Sequence, residues 1–192
     1  MKHDFEGTLG KLAAMGFEGV EFAGGFGRYA NDPAGLRAFL DKLKLACAGA
    51  HLDFAALSDA RFPQTTAFYR DVGCRNLVIA WDTIAAGTPQ QSILQQDIGW
   101  TVFAGKDPVA LIRRYPGRTV SSHFKAKLAQ GTTGKPLIGQ DNTDWPAVYA
   151  AARGQGGAEW IVLEQEEYPD GMRPLEAVAA SMRGLQGFLK RH

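Results

Sequence analysis

Arg118-Thr119-Val120-Ser121-Ser122-His123 and Trp160-Ile161-Val162-Leu163-Glu164 are short β-forming runs, each closing on a titratable side chain. A third run, Ser92-Ile93-Leu94-Gln95-Gln96-Asp97, ends the same way and opens into Asp97-Ile98-Gly99-Trp100. Helix-forming stretches follow each of them, so they read as consecutive β/α units of a parallel sheet. In a parallel β/α barrel the chemistry sits where strands end and loops begin. Asp97, His123 and Glu164 are therefore expected on one rim. Two carboxylates and an imidazole converging there suit a divalent metal of intermediate hardness, Mn²⁺ or Zn²⁺, with Mg²⁺ or Co²⁺ as alternatives.

Working outward from these runs, strands are expected at 17–22, 45–51, 75–81, 92–97, 118–123 and 159–164. The chain opens in a helix capped by Asp4, with Phe5, Leu9, Leu12 and Ala13 at helical spacing and Gly16 ending it. Asp32-Pro33 and Asp107-Pro108 each pair a cap with a proline at the first helical position. The first of these helices carries Leu36, Phe39, Leu40 and Leu43 on one face. Further helices are expected over Arg61 to Val72 despite Pro63, after the cap Asp144, and from about Pro174 to Leu189. The apolar centre of Arg75 to Trp81 predicts a buried strand, whereas Asp82 to Gln91 is too short and broken for a crossover helix. The fold class is α/β, a parallel (β/α) barrel of the TIM type. A complete barrel takes about 250 residues, so this chain has room for about six units. The barrel is expected to be incomplete: open, or completed by oligomerisation through exposed strand edges.

The 192 residues, 45% of them hydrophobic, are expected to form a single domain over 1–192. With 21 Lys+Arg against 20 Asp+Glu, the net charge of +1 shows no polyanion signature and argues against nucleic acid as a partner. Apolar runs are short and no apolar leader follows Met1, so neither membrane insertion nor export is expected. Cys47 and Cys74 lack metal or redox spacing and read as buried small hydrophobes, with a reducing cytoplasm as the default compartment.

The ordered combination of Leu12-Ala13-Ala14-Met15-Gly16-Phe17-Glu18-Gly19-Val20-Glu21-Phe22, Asp97-Ile98-Gly99-Trp100, Ala104-Gly105-Lys106-Asp107-Pro108, His123-Phe124-Lys125 and Ile161-Val162-Leu163-Glu164-Gln165 resembles the xylose isomerase-like barrels, specifically the sugar phosphate isomerases/epimerases. The resemblance spans nearly the whole chain. It implies a metal-dependent isomerase or epimerase acting on a small sugar, sugar phosphate or polyol. In that family a divalent ion holds two neighbouring oxygens of a ketose, and a glutamate removes the proton beside the carbonyl to give an enediolate. Carried over residue by residue, Asp97, His123 and Glu164 would be metal ligands and Glu164 also the base. Four departures from the family pattern stand out. The first strand is absent, and so is one unit between Trp81 and Ser92 that normally adds a metal-binding carboxylate or histidine. Ala126 replaces the aspartate after the His-x-Lys triplet, and Asp141 replaces the second glycine of the turn beginning at Gly139.

Blander roles compete with each assignment. Asp97 could simply cap the turn at Gly99, and His123 alone reads as a hydrogen-bonded interior histidine. Glu164 shares strand parity with Glu166 and with the apolar Trp160 and Val162, so a solvated acidic rim of Glu164, Glu166 and Glu167 is the alternative to a site. Glu21 and His51 end the two earlier strands, where they either bind sugar hydroxyls or tie down loops. Trp100 either stacks on a sugar face or fills the barrel mouth, and core filling is the default. Lys125 either offsets substrate charge or is an exposed lysine without a specific task. Two other functions remain alongside the isomerase: a degenerate barrel serving as an interaction or oligomerisation module, and an abasic-site endonuclease-like hydrolase. The latter would use more metal-binding histidines than the four present.

Overall fold

The computed structural model describes residues 4–79 and 94–190. The chain divides into two compact units, residues 1–84 and 85–192.

In the first unit, α1 (Phe5–Ala14) starts where Asp4 Oδ1 accepts the Gly7 N–H at 2.9 Å. The same device starts α2 (Pro33–Leu43), where Asp32 Oδ1 accepts the Gly35 N–H at 2.8 Å. Pro33 takes the first helical position, whose N–H would have no partner in any case. Helix α3 (Phe62–Val72) tolerates Pro63 in its first turn for the same reason. It stops at Gly73, whose φ of 84° lies in the left-handed region that glycine enters without steric cost. Strands β1 (Gly19–Phe22), β2 (Ala46–Leu52) and β3 (Leu77–Ile79) form a parallel sheet in that order. Leu9, Phe22, Leu36, Leu40 and Val72 fill the core over it. Each such side chain contributes ~1.5–3 kcal/mol by leaving water. Cys47 and Cys74 are free and buried, as their sequence context indicates.

One expectation for this unit fails. The apolar run around β3 predicts a buried strand, yet Leu77 is 36% exposed. Among the described residues β3 pairs with β2 alone, so it has an edge strand's cover rather than a central strand's. Ala80 and Trp81, the broken stretch Asp82 to Gln91, and Ser92 with Ile93 lie outside the described residues.

In the second unit, β4 (Gln96–Asp97), β5 (Ser121–Phe124) and β6 (Trp160–Leu163) also form a parallel sheet in sequence order. Helix α4 (Ile98–Phe103) follows Asp97 with no intervening loop. Helices α5 (Pro108–Arg114), α6 (Trp145–Arg153) and α7 (Pro174–Leu189) complete the unit. Asp107 Oδ1 caps α5 through the Val109 N–H at 2.8 Å, and Asp144 Oδ1 caps α6 through the Ala147 N–H at 3.1 Å. Ile98, Ile112, Phe124, Trp145 and Val148 form the buried core. Strand β5 is buried throughout, including two serines. Ser122 Oγ donates to the Gln96 carbonyl at 2.9 Å, and Ser121 Oγ accepts from Gln95 Nε2 at 2.9 Å. These bonds satisfy buried hydroxyls and fix β5 against β4. The strand runs one residue past its expected end, to Phe124.

The architecture is thus α/β with parallel strands, each inside or within a residue of its expected range. Among the described residues no helix is long and apolar enough to cross a membrane.

Candidate functional site

Register brings the rim of the second unit together. Asp97 lies opposite His123, and His123 opposite Val162. The Glu164 N–H donates to the Phe124 carbonyl at 3.2 Å, so pairing continues past the end of β6 and carries Glu164 alongside His123. His123 Nδ1 stands 2.6 Å from Glu164 Oε2 and 3.9 Å from Asp97 Oδ2. One donor atom from each of Asp97, His123 and Glu164 lies within 4.8 Å of the other two.

Asp97 divides its two oxygens between the capping role and the rim. Oδ1 accepts the Trp100 N–H at 3.0 Å and caps α4, while Oδ2 faces His123 and Lys125. The cap fixes the carboxylate's orientation, and the second oxygen stays available to a cation. Four-coordinate zinc with bonds of about 2.1 Å sets its ligand atoms about 3.4 Å apart. The donor set suits a divalent ion in its chemistry, while the 2.6 Å between His123 and Glu164 is the contact of a hydrogen-bonded pair and would have to open toward that spacing, and the 3.9 Å to Asp97 to close toward it, around an ion.

Of the two readings of Lys125, the exposed lysine without a task is the one the structure overturns. Its side chain is only 4% exposed, and its Nζ lies 2.9 Å from Asp97 Oδ2, 3.0 Å from Glu164 Oε1 and 2.8 Å from Glu166 Oε1. Gly99 makes the arrangement possible, because a Cβ there would come within 2.5 Å of the Lys125 carbonyl oxygen. Burial works to lower the Lys125 pKa, but hydrogen bonds to Glu166, Asp97 and Glu164 outweigh it and raise the pKa above the ordinary lysine value. For Glu164, burial works to raise the pKa. Hydrogen bonds from His123 and Lys125, together with their charge, overcome this and hold the carboxyl at about 2.

The rim continues outward. Lys127 Nζ pairs with Glu167 Oε1 at 3.0 Å and with Glu166 Oε2 at 3.5 Å. It also sits 4.1 Å from the centroid of the Trp100 ring. Trp100 is 42% exposed, which overturns the core-filling reading. At about 100° per residue, Trp100 lies roughly 200° around α4 from Ile98. Ile98 takes the buried face, and Trp100 is left to pack edge-on against Phe103 at 5.6 Å. Of the acidic rim Glu164, Glu166 and Glu167, the last two are exposed, and both are paired with lysines.

The departures from the family pattern have local consequences. Ala126 is buried and packs in the second unit's core. Asp141 Oδ1 accepts the Trp145 indole N–H at 2.7 Å and the Gly139 N–H at 3.3 Å, tying the loop after β5 to the start of α6. Burial raises the Asp141 carboxyl above its ordinary value. In the first unit, Glu21 Oε1 and His51 Nε2 are 2.8 Å apart and so pair with each other. Gly49 gives Glu21 its room, since a Cβ there would lie 2.7 Å from Glu21 Oε2.

No family model matches the sequence, and no curated protein does. Solved structures do match it. A sugar phosphate isomerase/epimerase from Parabacteroides distasonis aligns with a TM-score of 0.69 at 17% identity, covering 96% of this chain and 92% of that one. L-ribulose 3-epimerase aligns at 0.67 and 16% identity, over 98% and 89% of the two chains. A family 2 AP endonuclease from Brucella melitensis aligns at 0.61 and 14% identity, over 96% and 92%. The fold that this parallel α/β arrangement shares with these structures is the TIM barrel. Sugar phosphate isomerases and epimerases are among the proteins it is similar to, as is the endonuclease.

Sequence reasoning missed Lys127 and undervalued Lys125. A signal for both was present. Lys125 and Lys127 follow His123 at a spacing of two, as Glu166 follows Glu164, just beyond the ends of strands expected to be neighbours, which brings opposite charges near one another.

Proposed function

We propose that the protein is a metal-dependent isomerase or epimerase of a small sugar, sugar phosphate or polyol, moving a proton on the carbon beside a carbonyl. The observation that carries this reading is the meeting of Asp97, His123 and Glu164 donor atoms within 4.8 Å at the ends of three adjacent parallel strands. Asp97, His123 and Glu164 would hold the ion, Mn²⁺ or Zn²⁺ by the chemistry of the set. Once bound, it supplies Lewis-acid polarisation of the substrate carbonyl.

The remaining roles belong to the chain's own side chains. Glu164 is one-third exposed while His123 is largely covered, so Glu164 is the group a substrate can reach and serves as the base. A carboxyl at about 2 is a poor base at neutral pH. His123 is the larger of the two influences that hold it there and Lys125 the smaller, and Lys125 is the one on a flexible stem. The exposed Trp100 ring offers a stacking face for the apolar side of a sugar. Lys125 is placed to offset negative charge developing on a substrate oxygen. Glu21 and His51 carry the chemistry for hydroxyl contacts at the strand ends of the first unit.

Two measurements test the proposal. Metal analysis and titration calorimetry should find about one Mn²⁺ or Zn²⁺ site per chain, lost in His123→Ala. Proton exchange from a panel of free and phosphorylated ketoses into deuterated water should be abolished in Glu164→Gln. A variant that exchanges at the wild-type rate removes Glu164 as the base. A second reading, a folded barrel without turnover that acts as an interaction or oligomerisation module, is favoured by one observation: Lys125 already neutralises Asp97 and Glu164. Lack of affinity for either ion, with a concentration-dependent mass in sedimentation, would select it.

A further inference from the structure

We propose that Lys125 is a built-in competitor for the metal: its ammonium occupies the cation position between Asp97 and Glu164, and must swing out along Glu166 before a divalent ion is held. This rests on the metal reading above. The geometry makes the two cations mutually exclusive. Asp97 Oδ2 is the oxygen facing His123 Nδ1, and Lys125 Nζ already lies 2.9 Å from it. Lys125 Nζ also takes the second oxygen of Glu164, at 3.0 Å, while Oε2 faces the imidazole. An ion bound about 2.1 Å from these same oxygens would stand beside the ammonium with strong repulsion in a covered site.

The exit is built in as well. Glu166 Oε1 is already 2.8 Å from Lys125 Nζ, and Glu166 is 40% exposed, so following it leads the ammonium toward water. Lys127 is held chiefly by Glu167, at 3.0 Å against 3.5 Å to Glu166, which leaves Glu166 able to receive Lys125. The internal ammonium also answers a stability problem. Without a cation, Asp97 and Glu164 would be two close, partly buried like charges, which is costly. Lys125 thus holds the metal-free site in shape, and it does so at the expense of metal affinity.

The test is titration of Mn²⁺ and Zn²⁺ into chelator-stripped full-length protein by calorimetry, comparing wild type with Lys125→Met and Lys127→Met. Methionine keeps the length of the stem and removes the competing charge. The expected result is binding at least ~10-fold tighter in Lys125→Met, from loss of charge-assisted bonds that the ion must otherwise break. Lys127→Met, which removes the same charge without touching Asp97 or Glu164, should change affinity by no more than about threefold. Equal or weaker binding by Lys125→Met, with wild type binding normally, overturns the competitor and leaves the metal reading intact. An equal gain in both variants overturns it too, because general repulsion would then be the cause. Absence of binding in wild type and Lys125→Met alike overturns the metal reading and this inference together. Should Lys125→Met not fold, the wild-type protein gives the answer through the ¹⁵N resonances of its lysine ammonium groups. Saturating Zn²⁺ should shift the Lys125 signal and speed its exchange with water, and an unmoved signal overturns the proposal.

Discussion

Acidification of the metal-free protein should remove stability through Glu164 within a defined window. The folded-state pKa of about 2 lies below the ordinary glutamate value of 4.5, so the folded state favours the carboxylate. The stabilisation is complete above the unfolded pKa of 4.5 and is lost as pH falls from there toward 2. At about 1.4 kcal/mol per pH unit, the shift sets a ceiling of ~3.4 kcal/mol. The side chain is one-third exposed, and solvent screening reduces the expected contribution to roughly 1–2 kcal/mol. The assay is urea unfolding of wild type and Glu164→Gln, in chelator, at intervals from pH 7 to pH 3. The variant should be less stable at pH 7 by roughly 1–2 kcal/mol, and the gap should close as pH falls below 4.5. A gap that stays constant down to pH 3 would refute the claim that His123 and Lys125 hold Glu164 ionised.

Other perturbations probe the supports of the site. Gly99→Ala should destabilise the fold by about 1–3 kcal/mol in urea unfolding, because the added methyl meets the Lys125 carbonyl, a backbone atom that cannot turn away. It should also weaken Zn²⁺ binding, since α4 and its capping Asp97 must shift; unchanged stability would mean the helix start yields easily. Gly184→Ala places a methyl on the Ile138 carbonyl oxygen and should cost stability by a similar amount, while leaving any metal affinity nearly unchanged. Trp100→Ala should alter stability by less than about 1 kcal/mol, as expected for an exposed cation–π pair. If Trp100 stacks on substrate, the same variant raises KM severalfold with little change in kcat, and an unaltered KM would dismiss the platform.

Much of the fold was legible because its signals are local. Asp-Pro pairs at 32–33 and 107–108 announce helix starts through the geometry of a capping carboxylate and a fixed φ, and both caps are present. Asp144 starts its helix in the same way. The strand ends at Asp97 and Glu164 followed from short apolar runs of fixed period. Burial was less legible, because it depends on neighbours. Leu77 belongs to an apolar run yet is exposed beside a single paired strand, and Trp100 reads as core in isolation but lies opposite Ile98 on a six-residue helix.

The candidate site divides along the same line. Sequence by itself determined that Asp97, His123 and Glu164 occupy strand ends, since strand periodicity and the following helices fix that much. Tertiary structure alone decided that Lys125 is buried among three carboxylates rather than solvated. It also decided that Asp97 turns its other oxygen to His123 and Lys125 and that Glu164 is strongly acidic. The physical reason is that a charge's role is set by what lies within a few ångströms of it, and here those neighbours are 26 to 41 residues away along the chain.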